Sequence, residues 1–144
     1  MTAGTGVVHS EYNPSATERL HLLQIWIMPD AQGHTPRYHQ KRFGLEARKN
    51  VLLPVVSGKS AGGTLMMHQD ATLYVSDLEQ GKALTHTLAP GRRAYLFLAK
   101  GAVDVVGARP AVPLRAGDAA VIEHEAAVEL KSMAPCELVL MDLP

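Results

Sequence analysis

His9 and Glu11, in Gly6-Val7-Val8-His9-Ser10-Glu11, are the pair in this sequence best placed to hold a metal ion. On a β-strand, residues i and i+2 point to the same side, so an imidazole and a carboxylate at that spacing can share one ion. Two donors from a single strand make a weak and open site, since a reactive metal centre typically takes about three protein ligands. The other histidines offer less. His34 and His39 lie among Arg37, Lys41 and Arg42, a basic stretch that reads as a solvated face, with an acidic partner or phosphate as the competing use. His21 precedes an apolar run, and His68 opens an expected strand two residues before Asp70; both read as structural hydrogen-bonders. His124 and Glu125 read as a solvated loop pair. Cys136 stands in Cys136-Glu137-Leu138-Val139-Leu140-Met141 and reads as a buried, inert thiol. No Ser/His/Asp order, Cys/His pair, phosphate loop or dinucleotide fingerprint is present.

The elements that would position these groups are short. Leu73–Leu78 alternates, and Ala94–Ala99 is a compact apolar run. Ala102–Val106, Ala119–Ile122, Ala127–Leu130 and Glu137–Leu143 follow, each closed by turn chemistry such as Gln80-Gly81, Pro90-Gly91, Lys100-Gly101 or Ala116-Gly117-Asp118. Strands at roughly ten-residue spacing without a long amphipathic helix predict an all-β sandwich or barrel. In the first third, Leu20–Met28 is expected as a strand ended by Pro29, and residues 30–43 as a polar connection with a short helix or turn around Tyr38–Phe43. Asn50–Val56 is expected as a strand and residues 58–63 as a small, flexible loop.

Bulk properties narrow the function. The 144 residues suit one domain, or one with an appendage. Lys plus Arg and Asp plus Glu both number 14, so no basic excess invites nucleic acid or an acidic membrane surface. No apolar run approaches the ~20 residues of a membrane-spanning helix, and the first residues do not read as a signal peptide. A lone cysteine fits a reducing cytoplasm.

Three stretches together resemble pirin and the pirin-like quercetin dioxygenases. They are MTAGTGVVHSEYNP from Met1, LLQIWIMPDAQGHTPRYHQKRF from Leu22, and HQDATLYVSDL from His68, the last followed by RAGDAAVI and the LVLMDLP ending. The resemblance implies two cupin barrels per chain in the family, the N-terminal one holding a divalent metal, usually iron, through three histidines and a glutamate. It implies that some members cleave quercetin with O2, the ion binding flavonol oxygens and a carboxylate accepting the substrate proton. Others are described as nuclear cofactors that respond to iron redox state. On this basis the expected fold is a cupin, a double-stranded β-helix of jelly-roll type, with extra N-terminal strands. Residues 1–28 would be remnant strands of an N-terminal cupin, 29–44 a linker, and 45–144 the C-terminal cupin domain.

His9 and Glu11 match the family's late ligand pair, and the earlier His-x-His pair has no counterpart among these residues. In the C-terminal barrel, His86 falls near one ligand slot, while Leu88, Arg93 and Val128 occupy the others, so that barrel is expected to be metal-free. The chain is therefore expected to act as a non-catalytic binding or interaction module, with no cofactor of its own. The alternative is a quercetin 2,3-dioxygenase-type enzyme whose metal ligands are completed in trans. Met1 matches an internal family position, which suits either a true half-length form or a start codon set too far downstream. An apolar edge around Val7, Val8, Leu23, Ile25 and Ile27 is expected to pair with a second copy, giving a homodimer through the N-terminal strands. A small-molecule or protein partner for the barrel is left open.

Overall fold

This computed structural model describes residues 1–59, 62–107 and 110–144. After a one-turn helix α1 (Leu45–Arg48) come β1 (Leu53–Ser57), β2 (Leu65–Met66), β3 (Thr72–Leu78), β4 (Ala83–Thr87), β5 (Arg93–Val106), β6 (Val112–Arg115), β7 (Ala119–Ile122) and β8 (Ala127–Leu143). The eight strands form one sheet in the order β2-β1-β3-β8-β5-β6, with β4 also on β8 and β7 also on β5. The all-β expectation is met. Among the described residues, no helix is long and apolar enough to cross a membrane.

Two long strands organise everything else. The first half of β5 pairs with β7 and the second half with β6, while β8 pairs with β4 at its start and β3 at its end. β5 and β8 also pair with each other from Arg93↔Leu143 to Val106↔Glu129. Each long strand therefore belongs to two faces and must bend between them. The bend falls where the register slips, between Leu98 and Val103. Gly101 sits there with φ +81°, and a Cβ on it would lie 2.1 Å from the Pro135 carbonyl oxygen. Glycine is required at such a bulge because the backbone is left-handed and the partner strand touches it.

Alternation then fills the core. Ala94, Leu96, Leu98, Val103 and Val105 of β5 face Val128, Leu130, Cys136, Leu138 and Leu140 of β8 in one buried cluster. Val139 points the other way and joins Val55 and Leu73, covered by Phe43 and Met67. The segment before the barrel thus supplies part of the lid over an outer sheet face.

The N-terminal third departs from expectation. No strand forms over Leu20–Met28, and residues 1–44 contain an isolated bridge between Thr2 and Arg37 as their sole ladder element. A strand needs a neighbour for its backbone groups, and among the described residues this run makes no backbone–backbone hydrogen bond to another segment. The short helix lies at Leu45–Arg48 rather than at Tyr38–Phe43. The loop expected over 58–63 falls partly on Ser60 and Ala61, outside the described residues.

α1 is tied down by charge. Arg48 Nε lies 2.8 Å from Asp77 Oδ2 on β3, and Arg48 Nη1 lies 3.2 Å from Glu137 Oε1 on β8, whose Oε2 receives Lys100 Nζ at 2.7 Å. The Arg48–Asp77 pair is close but misdirected, since neither of those atoms is in a well-aligned hydrogen bond. Burial pushes the Asp77 carboxyl up, outweighing the pull of Arg48, whereas the hydrogen bond from Lys100 holds Glu137 down. The two carboxyls therefore act on stability with opposite sign. Glu137 stabilises above the carboxylate range and loses that contribution as pH falls. Asp77 is favoured protonated in the fold, so its penalty grows as pH rises through its raised value. Asp77→Asn is expected to raise stability at neutral pH by up to about 1 kcal/mol and to change nothing in acid. Urea denaturation at both pH values checks this.

Candidate functional site

Three histidine–carboxylate groupings are candidates, and they differ in what holds them. The first is His9 with Glu11. Their side chains approach to 3.9 Å and are 43% and 55% exposed. They sit on an irregular segment, so the shared strand face expected for them is absent. The segment is anchored nearby. Thr2 and Arg37 exchange backbone hydrogen bonds of 2.8 and 3.0 Å, and the Thr5 N–H donates to the His34 carbonyl at 3.1 Å. Gly4 makes that approach possible, because a Cβ there would lie 1.9 Å from the His34 carbonyl oxygen.

The second grouping is Asp30, His34 and His68. One potential donor atom from each lies within 4.8 Å of the others. His34 Nε2 donates to Asp30 Oδ1 at 2.8 Å, and this bond holds the Asp30 carboxyl below its ordinary range. The His34 and His68 rings are stacked, with centroids 3.8 Å apart and planes 15° from parallel. Asp30 and His34 belong to the connection before the barrel, while His68 belongs to the turn between β2 and β3 and opens no strand. Backbone contacts join these parts: the Asp30 N–H donates to the His68 carbonyl at 2.8 Å, and Gln69 Nε2 donates to the Met28 carbonyl at 2.9 Å. A small cavity of about 60 Å³ lies beside the cluster, lined by Thr2, Arg37, His39, Val56, Met66 and His68 among others. The sequence places His34 on a solvated basic face and His68 as a structural hydrogen-bonder, so the two are expected apart. The i,i+4 spacing of Asp30 and His34 was a signal; the arrival of His68 was not visible.

The third grouping is buried. His86 on β4 donates through Nε2 to Asp142 Oδ2 of β8 at 2.8 Å, and Arg92 Nε donates to the other carboxylate oxygen. A carboxylate only accepts, so Nε2 carries a proton when Asp142 is ionised. Arg92 reaches on to Asp70 Oδ2 and the Asp70 carbonyl, both at 3.0 Å. Tyr74 packs edge-on against His86, and burial followed by the Asp142 charge pushes its hydroxyl up. Asp142 and Arg92 were missed in the sequence, where Asp142 reads as part of an apolar ending. The network joins β3, β4 and β8 with the β2–β3 turn and the loop between β4 and β5, and reads as structural.

The remaining expected residues fall as follows. Leu88 and Val128 are core residues, and Val128 pairs with His86 across the ladder. Arg93 is at the surface, 3.6 Å from Glu123. His21, His39 and His124 are exposed. Cys136 is buried, and burial pushes its thiol up, away from the reactive thiolate. It borders an open groove of about 410 Å³ between α1 and the bend of β8.

Comparison with known proteins is consistent across both regions. A model described as the quercetinase C-terminal cupin domain matches residues 54–143, and one described as pirin matches residues 1–27. A protein of Escherichia coli K12 named quercetin 2,3-dioxygenase is 42% identical over 144 residues, all of this chain and 59% of that protein. The crystal structure of YhhW from Escherichia coli superposes with a TM-score of 0.82 at 38% identity, covering 92% of this chain and 54% of YhhW. The nickel(II) complex of the same bacterial pirin gives a TM-score of 0.79 at 38% identity, over 92% and 55%. The chain thus spans about three fifths of the length of the curated relatives it matches.

Proposed function

This chain belongs to the pirin family of cupin proteins, and from that premise we propose that residues 1–144 act as a non-catalytic binding module that presents half of a divalent-metal site. The observation that carries the reading is the state of His9 and Glu11. They lie together, exposed, and among the described residues no third His, Cys, Asp or Glu groups with them. Two donors do not fit an enclosed reactive iron, which takes about three and needs water kept out. No reaction step is therefore assigned to these residues. At the two positions expected as ligand slots of the C-terminal barrel, Leu88 and Val128 are packed in the core and cannot coordinate an ion. The buried thiol of Cys136 suits a reducing cytoplasm.

A second reading is a quercetin 2,3-dioxygenase-type enzyme completed in trans. It is favoured by the exposure of large apolar side chains in the same N-terminal segment: Val8 at 101%, Trp26 at 86% and Met28 at 81%. Exposed apolar side chains of this size suit coverage by another chain. The partner in this reading is a second copy, and two copies would bring two such His/Glu pairs, enough donors for one ion.

One experiment separates the two. Tag-free protein is loaded with ferrous iron under anaerobic conditions, and metal per chain and sedimentation are measured together. The first reading expects no iron that depends on His9, so that His9→Ala changes neither value. Near-stoichiometric iron in a sedimenting dimer, lost on His9→Ala, would replace it with the second.

A further inference from the structure

We propose that Asp30, His34 and His68 form a transition-metal site of their own, which clamps the connection preceding the barrel onto the β2–β3 turn. The donors are two imidazoles and one carboxylate, a set that suits zinc and similar borderline dications, with at least one coordination position left for water. The backbone already holds the parts in place. Asp30 and His68 are joined by a 2.8 Å main-chain hydrogen bond, and Gln69 secures Met28 just before them. The three donor atoms lie within 4.8 Å of each other, whereas tetrahedral ligands at about 2.1 Å from an ion sit roughly 3.4 Å apart. The stacked rings must turn, because imidazole lone pairs lie in the ring plane and parallel planes do not converge on one ion. The hydrogen between His34 Nε2 and Asp30 Oδ1 must leave that position for both atoms to face the ion.

The clamp would reach beyond its ligands. The His34 carbonyl accepts from Thr5, and Arg37 bridges to Thr2, so fixing His34 also fixes the start of the segment that carries His9 and Glu11. The site is independent of that pair and needs none of its atoms.

Isothermal titration of tag-free full chain with zinc chloride tests the proposal, paired with limited proteolysis of residues 15–44. The expected result is one zinc per chain, at least about tenfold weaker in His34→Ala and in His68→Ala, since loss of even an outer-shell partner costs about that much. His9→Ala should bind zinc as the parent does. Zinc should slow cleavage of the connection in the parent and not in His68→Ala, and a chelator should reverse it. His34 lies outside the barrel, so His34→Ala with an unchanged melting temperature separates lost ligation from lost folding. Zinc binding that survives both histidine losses, or that disappears with His9→Ala, would overturn the assignment. So would the absence of saturable binding, which would leave the cluster a hydrogen-bonded ring stack.

Discussion

Asp142→Ala is expected to destabilise the protein by about 3–5 kcal/mol, the range for breaking a buried ion pair from one side. The side chains of Asp142, Arg92 and His86 are 12%, 13% and 10% exposed. Removing the carboxylate takes the acceptor from His86 Nε2 and from Arg92 Nε at once. Arg92 keeps Asp70 and two backbone carbonyls, so its charge is partly met; His86 is left beside Tyr74 with an orphaned N–H. Asp142→Asn keeps an acceptor of the same shape and is expected to cost less. Urea denaturation at neutral pH decides the matter. A loss under about 1 kcal/mol for the alanine variant would mean that water reaches the network and that it behaves as a surface pair.

Gly101→Ala is expected to be comparably harmful, at about 2–5 kcal/mol, the sum of a left-handed backbone penalty of 1–2 and an overpacking term of 1–3. The new methyl would lie 2.1 Å from the Pro135 carbonyl oxygen and 2.7 Å from Cys136 Cβ. Gly117 provides the control. Its φ is +93°, and nothing lies within 4 Å of a Cβ built there, so Gly117→Ala should show the backbone term alone. The difference between the two denaturation midpoints isolates what the crossing of β5 and β8 contributes. Equal losses would show that the bulge relaxes freely.

The same crossing explains what sequence could and could not reveal. Alternating residues marked β3, both halves of β5, β7 and both ends of β8, because a half-buried strand must repeat every second residue. Lys100-Gly101 reads as a turn that ends a strand, yet it lies inside the continuous strand β5. A glycine with positive φ serves a turn and a bulge equally well, and only the partner strand distinguishes them. β4 and β6 were not read as strands, since each buries a single residue, His86 or Leu114, and carries little apolar signal. His9 and Glu11 were legible as a pair because two residues of spacing suffice. Asp142 was not, since its partners Arg92 and His86 are 50 and 56 residues away. The strand expected over Leu20–Met28 shows the reverse error. Its residues favour extended pairing, but propensity cannot supply a neighbour.

The continuity of β5 and β8 also bears on how the barrel comes apart. A sheet assembled from separate hairpins can fray at one corner while the opposite corner stays protected. Here, Leu96 and Leu98 stand on the same rod as Val103 and Val105, and Leu130 on the same rod as Leu138. Loosening either end pulls on backbone shared with the other, so the two ends form a single cooperative unit with no independent subdomain to lose first.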